Sequence, residues 1–153
     1  MGDNVRLPAS ARLGPDGGGF GIMMNLVLPW FNVLNAAVSA GLMERAVEST
    51  ARHVAAATFQ PSGSRIADLP TVRAFVARMR IQTDQTKALN RDTVSAIAAG
   101  RADATLRVLE SKAAAGEAAA AVTDLAMRVC GGAAVTRRWW RWCARWMPAA
   151  ASA

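Results

Sequence analysis

Apolar residues recur at steps of three and four along most of the chain, the spacing that places them on one face of an α-helix. From Gly17 to Met43 the sequence holds no charged residue, and an alanine-rich stretch continues this segment to Ala57. We predict a first helix from about Ile22 to Ala57. It should be kinked near Pro29, because proline removes a backbone donor and clashes with the preceding turn.

The segment "QPSGSR" interrupts the helical pattern, since Pro, Gly and Ser favour turns. A second helix is predicted to begin in "ADLPTV", with Asp68 as its N-cap and Pro70 in its first turn, where a missing N–H does no harm. Gly100 is expected to end this helix. Its buried face is predicted from apolar residues at helical spacing, namely Val72, Phe75, Val76 and Met79.

The alanine-rich residues 101–130 predict a third helix. One stripe on it has small members that would let another helix approach closely, and consists of Leu106, Leu109, Ala113, Gly116 and Ala120. The chain is therefore expected to be all-α, an antiparallel bundle of three long helices that lacks at least one member of a closed bundle. We expect residues 1–20 to be an extended Gly/Pro-rich segment, 21–135 the bundle, and 136–153 a basic, tryptophan-rich tail and candidate further helix.

The charge of the chain is concentrated in that tail. Residues 136–153 hold four of the 18 basic residues and none of the 11 acidic ones, so the net charge of +7 falls to +3 for the remainder. No nucleic-acid-binding motif accompanies this charge, and we expect no nucleic-acid partner.

The uncharged stretch 17–43 also has the length of a membrane span. Pro29 and the amides of Asn25, Asn32 and Asn35 are unfavourable for a lone helix in lipid. They favour a buried helix of a soluble bundle, and a membrane-spanning helix is the open alternative.

Few residues are suited to catalysis or metal binding. Cys130 and Cys143 form neither a CxxC pair nor a ligand cluster, so we expect no metal site and reduced thiols in a cytoplasmic protein. The N-terminus has no recognisable export signal. His53 is the only histidine and has no partner pattern nearby, so a structural role is expected for it.

Four segments, in order, resemble the end of acyl-CoA dehydrogenase-like flavoproteins. "VRLPASARLGPDGGGFGIMM" is similar to the last extended stretch of the family's β domain and the start of its first bundle helix. "AAVSAGLMERAVESTARHV", "IADLPTVRAFVARM" and "AMRVCGGAAV" are similar to the body of that helix, the entry of the second helix, and the family's "Q-x-x-G-G-x-G" element. The resemblance spans about Val5 to Val135.

The resemblance implies a bundle that packs against FAD and acyl-CoA, with FAD partly held across a subunit interface. It implies a parent oxidoreductase that dehydrogenates the α,β bond of acyl-CoA thioesters. The glycine pair corresponds to Gly131 and Gly132, where the backbone could approach the adenosine part of FAD. Arg128 stands in the neighbouring glutamine position, and these three residues are the implied cofactor-binding set. A homo-oligomer or a companion chain is the implied partner.

Two departures from the family pattern affect the implied site. "FQPSGSRI" aligns with "R-x-x-F-G-x-x-I", so Phe59 stands where an arginine meets the FAD pyrophosphate, and Arg65 is the nearest substitute. One family position for the catalytic glutamate holds Phe31, beside Asn32, and the other falls in the acid-free tail. No catalytic residue is assigned, and we predict an inactive fragment without the family's upstream domains.

The tail "VTRRWWRWCARWMPAAASA" departs from the family's continuation. Arg, Trp, Ala, Pro and Cys are the residues that GC-rich DNA tends to encode when read out of frame, so we interpret the tail as frame-shifted sequence. Alternatively, its Arg and Trp side chains separate onto two sides of a helix, which is typical of membrane-surface segments. The chain would then be a non-enzymatic helical interaction or membrane-surface protein.

Overall fold

The computed structural model describes residues 5–132, which form helices and contain no strand. The helices are α1 (Gly19–Ile22), α2 (Leu28–Ala56), α3 (Pro70–Ala98) and α4 (Ala104–Cys130). Short 3-10 turns lie at Ala9–Ala11 and Ile66–Asp68. The predicted all-α bundle of three long helices is confirmed. The predicted tail helix lies outside the described residues.

The segment before α2 is a π-helical turn, Met23–Val27. Here the N–H of Leu28 bonds to the carbonyl of Met23, five residues back. Pro29 has no N–H for the carbonyl of Asn25, and its ring crowds that carbonyl. The wider turn relieves this crowding, so the irregularity expected near Pro29 takes the form of a π turn.

The start of α3 differs from the prediction. Leu69 occupies the N-cap position, whereas Asp68 belongs to the preceding 3-10 turn. The Asp68 carboxylate accepts a hydrogen bond from the Arg65 N–H at 2.9 Å. Asp68 as the N-cap of α3 is therefore wrong, because its carboxylate caps the 3-10 turn. Pro70 in the first turn of α3 is confirmed.

The end of α3 is closed by Gly100, as predicted. Its φ of +60° is a conformation that L side chains rarely adopt. The N–H of Gly100 bonds to the Ile97 carbonyl at 3.2 Å, and the N–H of Arg101 bonds to the Ala96 carbonyl at 3.0 Å. This pair of bonds is a Schellman motif, which satisfies carbonyls at the helix end.

The core lies where α2, α3 and α4 meet, and Met43 and Met79 are fully buried in it. The packing face of α4 consists of Val108, Ser111, Ala115, Val122 and Ala126. The small-residue stripe from Leu106 to Ala120 lies outside this packing face and is exposed, so whether another helix or chain covers it stays a prediction. Alanines occur on every side of α4, and its two longer core side chains, Val108 and Val122, face α2 and α3.

Polar contacts between the helices confirm their antiparallel order. Glu44 on α2 accepts a hydrogen bond from the Lys87 ammonium on α3 at 2.9 Å. The Thr93 hydroxyl on α3 donates to the backbone carbonyl of Arg107 on α4 at 3.2 Å. Ser111, one turn further along α4, donates a hydrogen bond to the side chain of Asn90, which lies one turn earlier on α3, at 3.1 Å.

The helical segment Gly19–Ala56 is long and apolar enough to cross a membrane by length and composition. Core helices of soluble proteins meet the same criterion. In this chain one side of α2 is built into the core with α3 and α4.

Candidate functional site

The glycine pair lies at the C-terminal end of α4. Gly131 has φ +52°, and its N–H bonds to the carbonyl of Met127. A Cβ built at Gly131 or Gly132 would meet no atom of residues 5–132 within 4 Å. The backbone conformation, rather than crowding, therefore requires glycine at position 131, and the space beside the pair is open.

Arg128 projects from the last turn of α4 and is 66% exposed. Its Nε lies 2.8 Å from Oδ2 of Asp124, one helical turn earlier. Exposed ion pairs of this kind contribute little to stability. Arg128 is thus accessible beside the glycines, but its guanidinium already has a carboxylate partner.

The end of α4 is attached to α2. The Cys130 thiol lies 3.9 Å from the Thr50 hydroxyl oxygen, as a weak hydrogen bond. Since α2 ends at Ala56, this contact brings the glycine pair to the same end of the bundle as the connection between α2 and α3.

That connection is a tight hairpin-like loop. The N–H of Phe59 bonds to the Ser64 carbonyl and the N–H of Gly63 to the Phe59 carbonyl, both at 2.8 Å. Thr58 and Arg65 face each other in an antiparallel bridge. The bridge places the backbone of Arg65 opposite Thr58, the residue before Phe59.

The other residues of interest lie apart. His53 is half-buried in the last turn of α2. Phe31 is 57% exposed near the start of α2, while Asn32 beside it is buried. At 1.5 Å per residue, Phe31 and Thr50 are separated by about 29 Å along the helix. The structure therefore does not bring Phe31 together with the glycine pair.

Three residues that form ion pairs, Glu44, Arg101 and Asp103, have shifted pKa values. The hydrogen bond from Lys87 lowers the pKa of Glu44. Hydrogen bonds donated by Arg101 and Arg107 lower the pKa of the Asp103 carboxyl, and the hydrogen bonds that Arg101 donates to Asp103 and Asp92 raise the pKa of Arg101. A carboxylate with a lowered pKa is a weak base, so these groups are poor candidates for proton abstraction.

Sequence reasoning missed these pairs. Glu44 and Lys87 are 43 residues apart, and nothing in the sequence links them before the helices are packed. Among residues 5–132 no group of three or more potential metal ligands comes together.

A groove of about 430 Å³ lies between the end of α2 and the start of α3. Its floor is apolar and includes Val54, Val72 and Val76. The arginines at its rim are engaged, Arg73 with Asp68 at 3.5 Å and Arg80 with Asp84 at 2.9 Å. The groove lacks the convergent polar groups that fix a ligand in most binding sites.

The described residues do not fit a complete flavin site. The open glycine pair could admit a ligand near its backbone, but Phe59 offers no charge to a pyrophosphate. The Phe31 side chain cannot accept a proton, and the Asn35 amide is engaged because it donates to the Phe31 carbonyl at 3.1 Å. We therefore derive no reaction step from these residues.

The described residues define an all-α bundle domain in which α4 ends in a glycine pair, at the same end of the bundle as the loop between α2 and α3. The family model described as "Acyl-CoA dehydrogenase, C-terminal domain" matches residues 17–153. The chain belongs to the acyl-CoA dehydrogenase family through this domain. No curated protein and no solved structure gives a significant match. The matched range begins close to α1 and runs through the tail, whose frame-shift interpretation stays a prediction.

Proposed function

We propose that this chain is the C-terminal bundle domain of an FAD-dependent acyl-CoA dehydrogenase-like oxidoreductase. The parent reaction would be the α,β-dehydrogenation of acyl-CoA thioesters. The observation that carries the proposal is the family match over residues 17–153, which covers the whole described bundle. The glycine end of α4, with Arg128, Gly131 and Gly132, is the proposed point of contact with the cofactor.

We further propose that the chain alone is inactive. A general base must first stand within reach of the proton that it removes, and the family position on α2 holds Phe31. The cofactor carries the difficult chemistry in flavoproteins, and Phe59 leaves the phosphate position without its arginine. Further protein segments or a companion chain in the cytoplasm would have to complete the site.

Flavin binding by the purified chain tests this proposal. After incubation with excess FAD and gel filtration, we expect no visible flavin absorbance to co-elute with the protein. Stoichiometric retention of FAD would contradict the proposal. The Arg65→Ala and Arg128→Ala variants would then show which guanidinium replaces the missing arginine. Arg45→Ala on α2 is the control, because Arg45 is exposed and its guanidinium pairs with Glu48 at 2.7 Å.

A further inference from the structure

One end of the bundle carries almost all of the chain's net charge. It is formed by the end of α2, the loop between α2 and α3, and the last turns of α4, and the chain continues from it into the tail. Residues 49–67 and 124–153, which form or leave this end, hold seven of the 18 basic residues and one of the 11 acidic ones. Six of the seven net positive charges therefore belong to this end, and the rest of the chain has a net charge of only +1.

The arginines that the structure describes at this end are accessible. Arg52 lies four residues before the end of α2, and Arg65 lies in the loop. Both are exposed, and neither forms an ion pair with the residues that the structure describes. Arg128 is 66% exposed and pairs with Asp124. Residues 49–67 hold no acidic residue, so the positive charge of Arg52 and Arg65 is not neutralised within their own segment.

An exposed aromatic side chain belongs to the same loop. Phe59 is 45% exposed and follows Thr58, whose backbone faces Arg65 in the antiparallel bridge. The N–H of Phe59 bonds to the Ser64 carbonyl, and the N–H of Gly63 bonds to the Phe59 carbonyl, both at 2.8 Å. These bonds fix the loop around Phe59, so little conformational entropy is lost when this ring binds a partner.

We propose that this end of the bundle binds the surface of an anionic lipid bilayer. The surface in question, the basic end, consists of Arg52, Phe59, Arg65 and Arg128 together with residues 136–153. Clustered arginines are attracted to anionic lipid headgroups, and aromatic rings favour the boundary between headgroups and acyl chains. The tail supplies four arginines and four of the five tryptophans. The sequence suggested a membrane contact for the tail alone, and the structure adds residues of the bundle itself.

A single-stranded nucleic acid is the other polyanion that arginines and aromatic rings bind, and such strands lie in basic grooves lined by aromatic rings. The groove at this end of the bundle is not of that kind. Its rim arginines, Arg73 and Arg80, pair with Asp68 and Asp84, and its floor is apolar. Phe59 is not among the residues that line it. The basic end is therefore better suited to a lipid surface than to a strand.

Vesicle co-sedimentation of the full chain tests the proposal. We expect binding to vesicles of phosphatidylcholine mixed with phosphatidylserine, and little binding to phosphatidylcholine alone. Raising the ionic strength from about 0.1 M to 1 M shortens the screening length from about 10 Å to 3 Å, and should release the bound protein. Equal binding to both vesicle types would mean that an apolar surface is responsible, and would overturn the proposal.

Substitutions in the bundle test the part that the structure adds. Arg52→Ala and Arg65→Ala should each weaken binding about fivefold, and Phe59→Ala should weaken it by about the same factor because an apolar contact is lost. Arg91→Ala is the matched charge control, since Arg91 is exposed on α3 about 32 Å from the first residue of that helix. Leu106→Ala, at a side chain 56% exposed near the start of α4, is the apolar control. Both controls should bind like wild type, and circular dichroism checks that all variants keep their helices.

Wild-type binding by Arg52→Ala and Arg65→Ala, with loss only on deletion of residues 136–153, would restrict the contact to the tail and overturn the proposal. Tighter binding to a fluorescent single-stranded oligonucleotide than to the anionic vesicles would assign the basic end to nucleic acid and would also overturn it. No flavin is present in these assays, and Arg52 has no part in the proposed cofactor contact. A negative result here therefore leaves the proposed function untouched.

Discussion

Met43 and Met79 at the centre of the bundle are among its largest fully buried side chains. Met43 has no exposed surface, whereas Met24, in the π turn before α2, is 41% exposed. Met43→Ala removes apolar contacts and leaves a cavity, which should lower the free energy of unfolding by about 2–5 kcal/mol. Met24→Ala should change it much less, by about 0.5 kcal/mol, because this side chain is already largely in contact with water. Urea unfolding followed by circular dichroism measures both, and equal effects would place the core elsewhere.

Two glycines should respond to alanine with opposite signs. Gly100 has a positive φ, so Gly100→Ala should destabilise the bundle by about 1 kcal/mol. Gly116 lies inside α4, and a Cβ there would meet no atom within 4 Å. Gly116→Ala should stabilise by about 0.5–1 kcal/mol, because alanine favours the helix. Thermal unfolding of the two variants decides, and a change of the same sign in both would contradict the structure at one of these positions.

At the scale of elements, local sequence signals predicted the helices well. Pro70 and Gly100 mark the ends of α3 through backbone chemistry that each residue carries by itself. The packing side of α4 could not be predicted, because alanine occurs on every side and a stripe of small residues resembles the core stripe. The choice depends on Val108 and Val122 filling space against α2 and α3, which is a property of the packed bundle.

The candidate site divides in the same way. The glycine pair was recognisable from its motif, and the positive φ of Gly131 gives a physical reason for that residue. The position of Arg65 beside Thr58 depends on a loop conformation that the sequence alone does not specify. The Glu44–Lys87 pair depends on the alignment of two helices.

The Glu44–Lys87 ion pair should make the packing of α2 on α3 sensitive to acid. Lys87 lowers the pKa of Glu44, so the pair stabilises the fold above the ordinary carboxyl pKa of about 4. This contribution is lost as the pH falls through the lowered pKa. Glu44→Gln should be less stable than wild type at neutral pH, and should lose less stability on acidification.

Urea midpoints at neutral and acidic pH check this prediction. Glu117→Gln is the matched control, because Glu117 is exposed and forms no ion pair with the residues that the structure describes. If Glu44→Gln and Glu117→Gln have the same pH dependence, Lys87 does not stabilise the folded state through Glu44.

Deletion of residues 136–153 tests the interpretation of the tail. If the tail is out-of-frame sequence, the bundle should keep its helicity and thermal midpoint. Affinity for anionic vesicles should fall, because four arginines are removed. Circular dichroism and vesicle co-sedimentation provide the readouts. A large loss of cooperative unfolding would mean that the tryptophans pack into the core, and the other two reading frames of the encoding DNA give an independent check.

At the scale of the whole molecule, the bundle presents two separate features. The glycine end of α4 lies at the same end of the bundle as the loop between α2 and α3, and the proposed contact with the cofactor lies there. The second feature is the apolar side of α2 that faces away from the core, where Phe31, Leu34 and Val38 are exposed. Neither feature supplies a general base among the described residues. For this reason we propose that the domain alone does not catalyse the family's reaction.

The most direct test is an activity assay on the purified chain with FAD, an electron-accepting dye and acyl-CoA thioesters of several chain lengths. We predict no dye reduction above background, because a missing base alone typically costs about 10²–10⁴ in rate and a missing flavin removes the hydride acceptor. Dye reduction that requires the thioester and disappears in Arg128→Ala would contradict this account, since it would mean that the chain assembles a working flavin site around the end of α4.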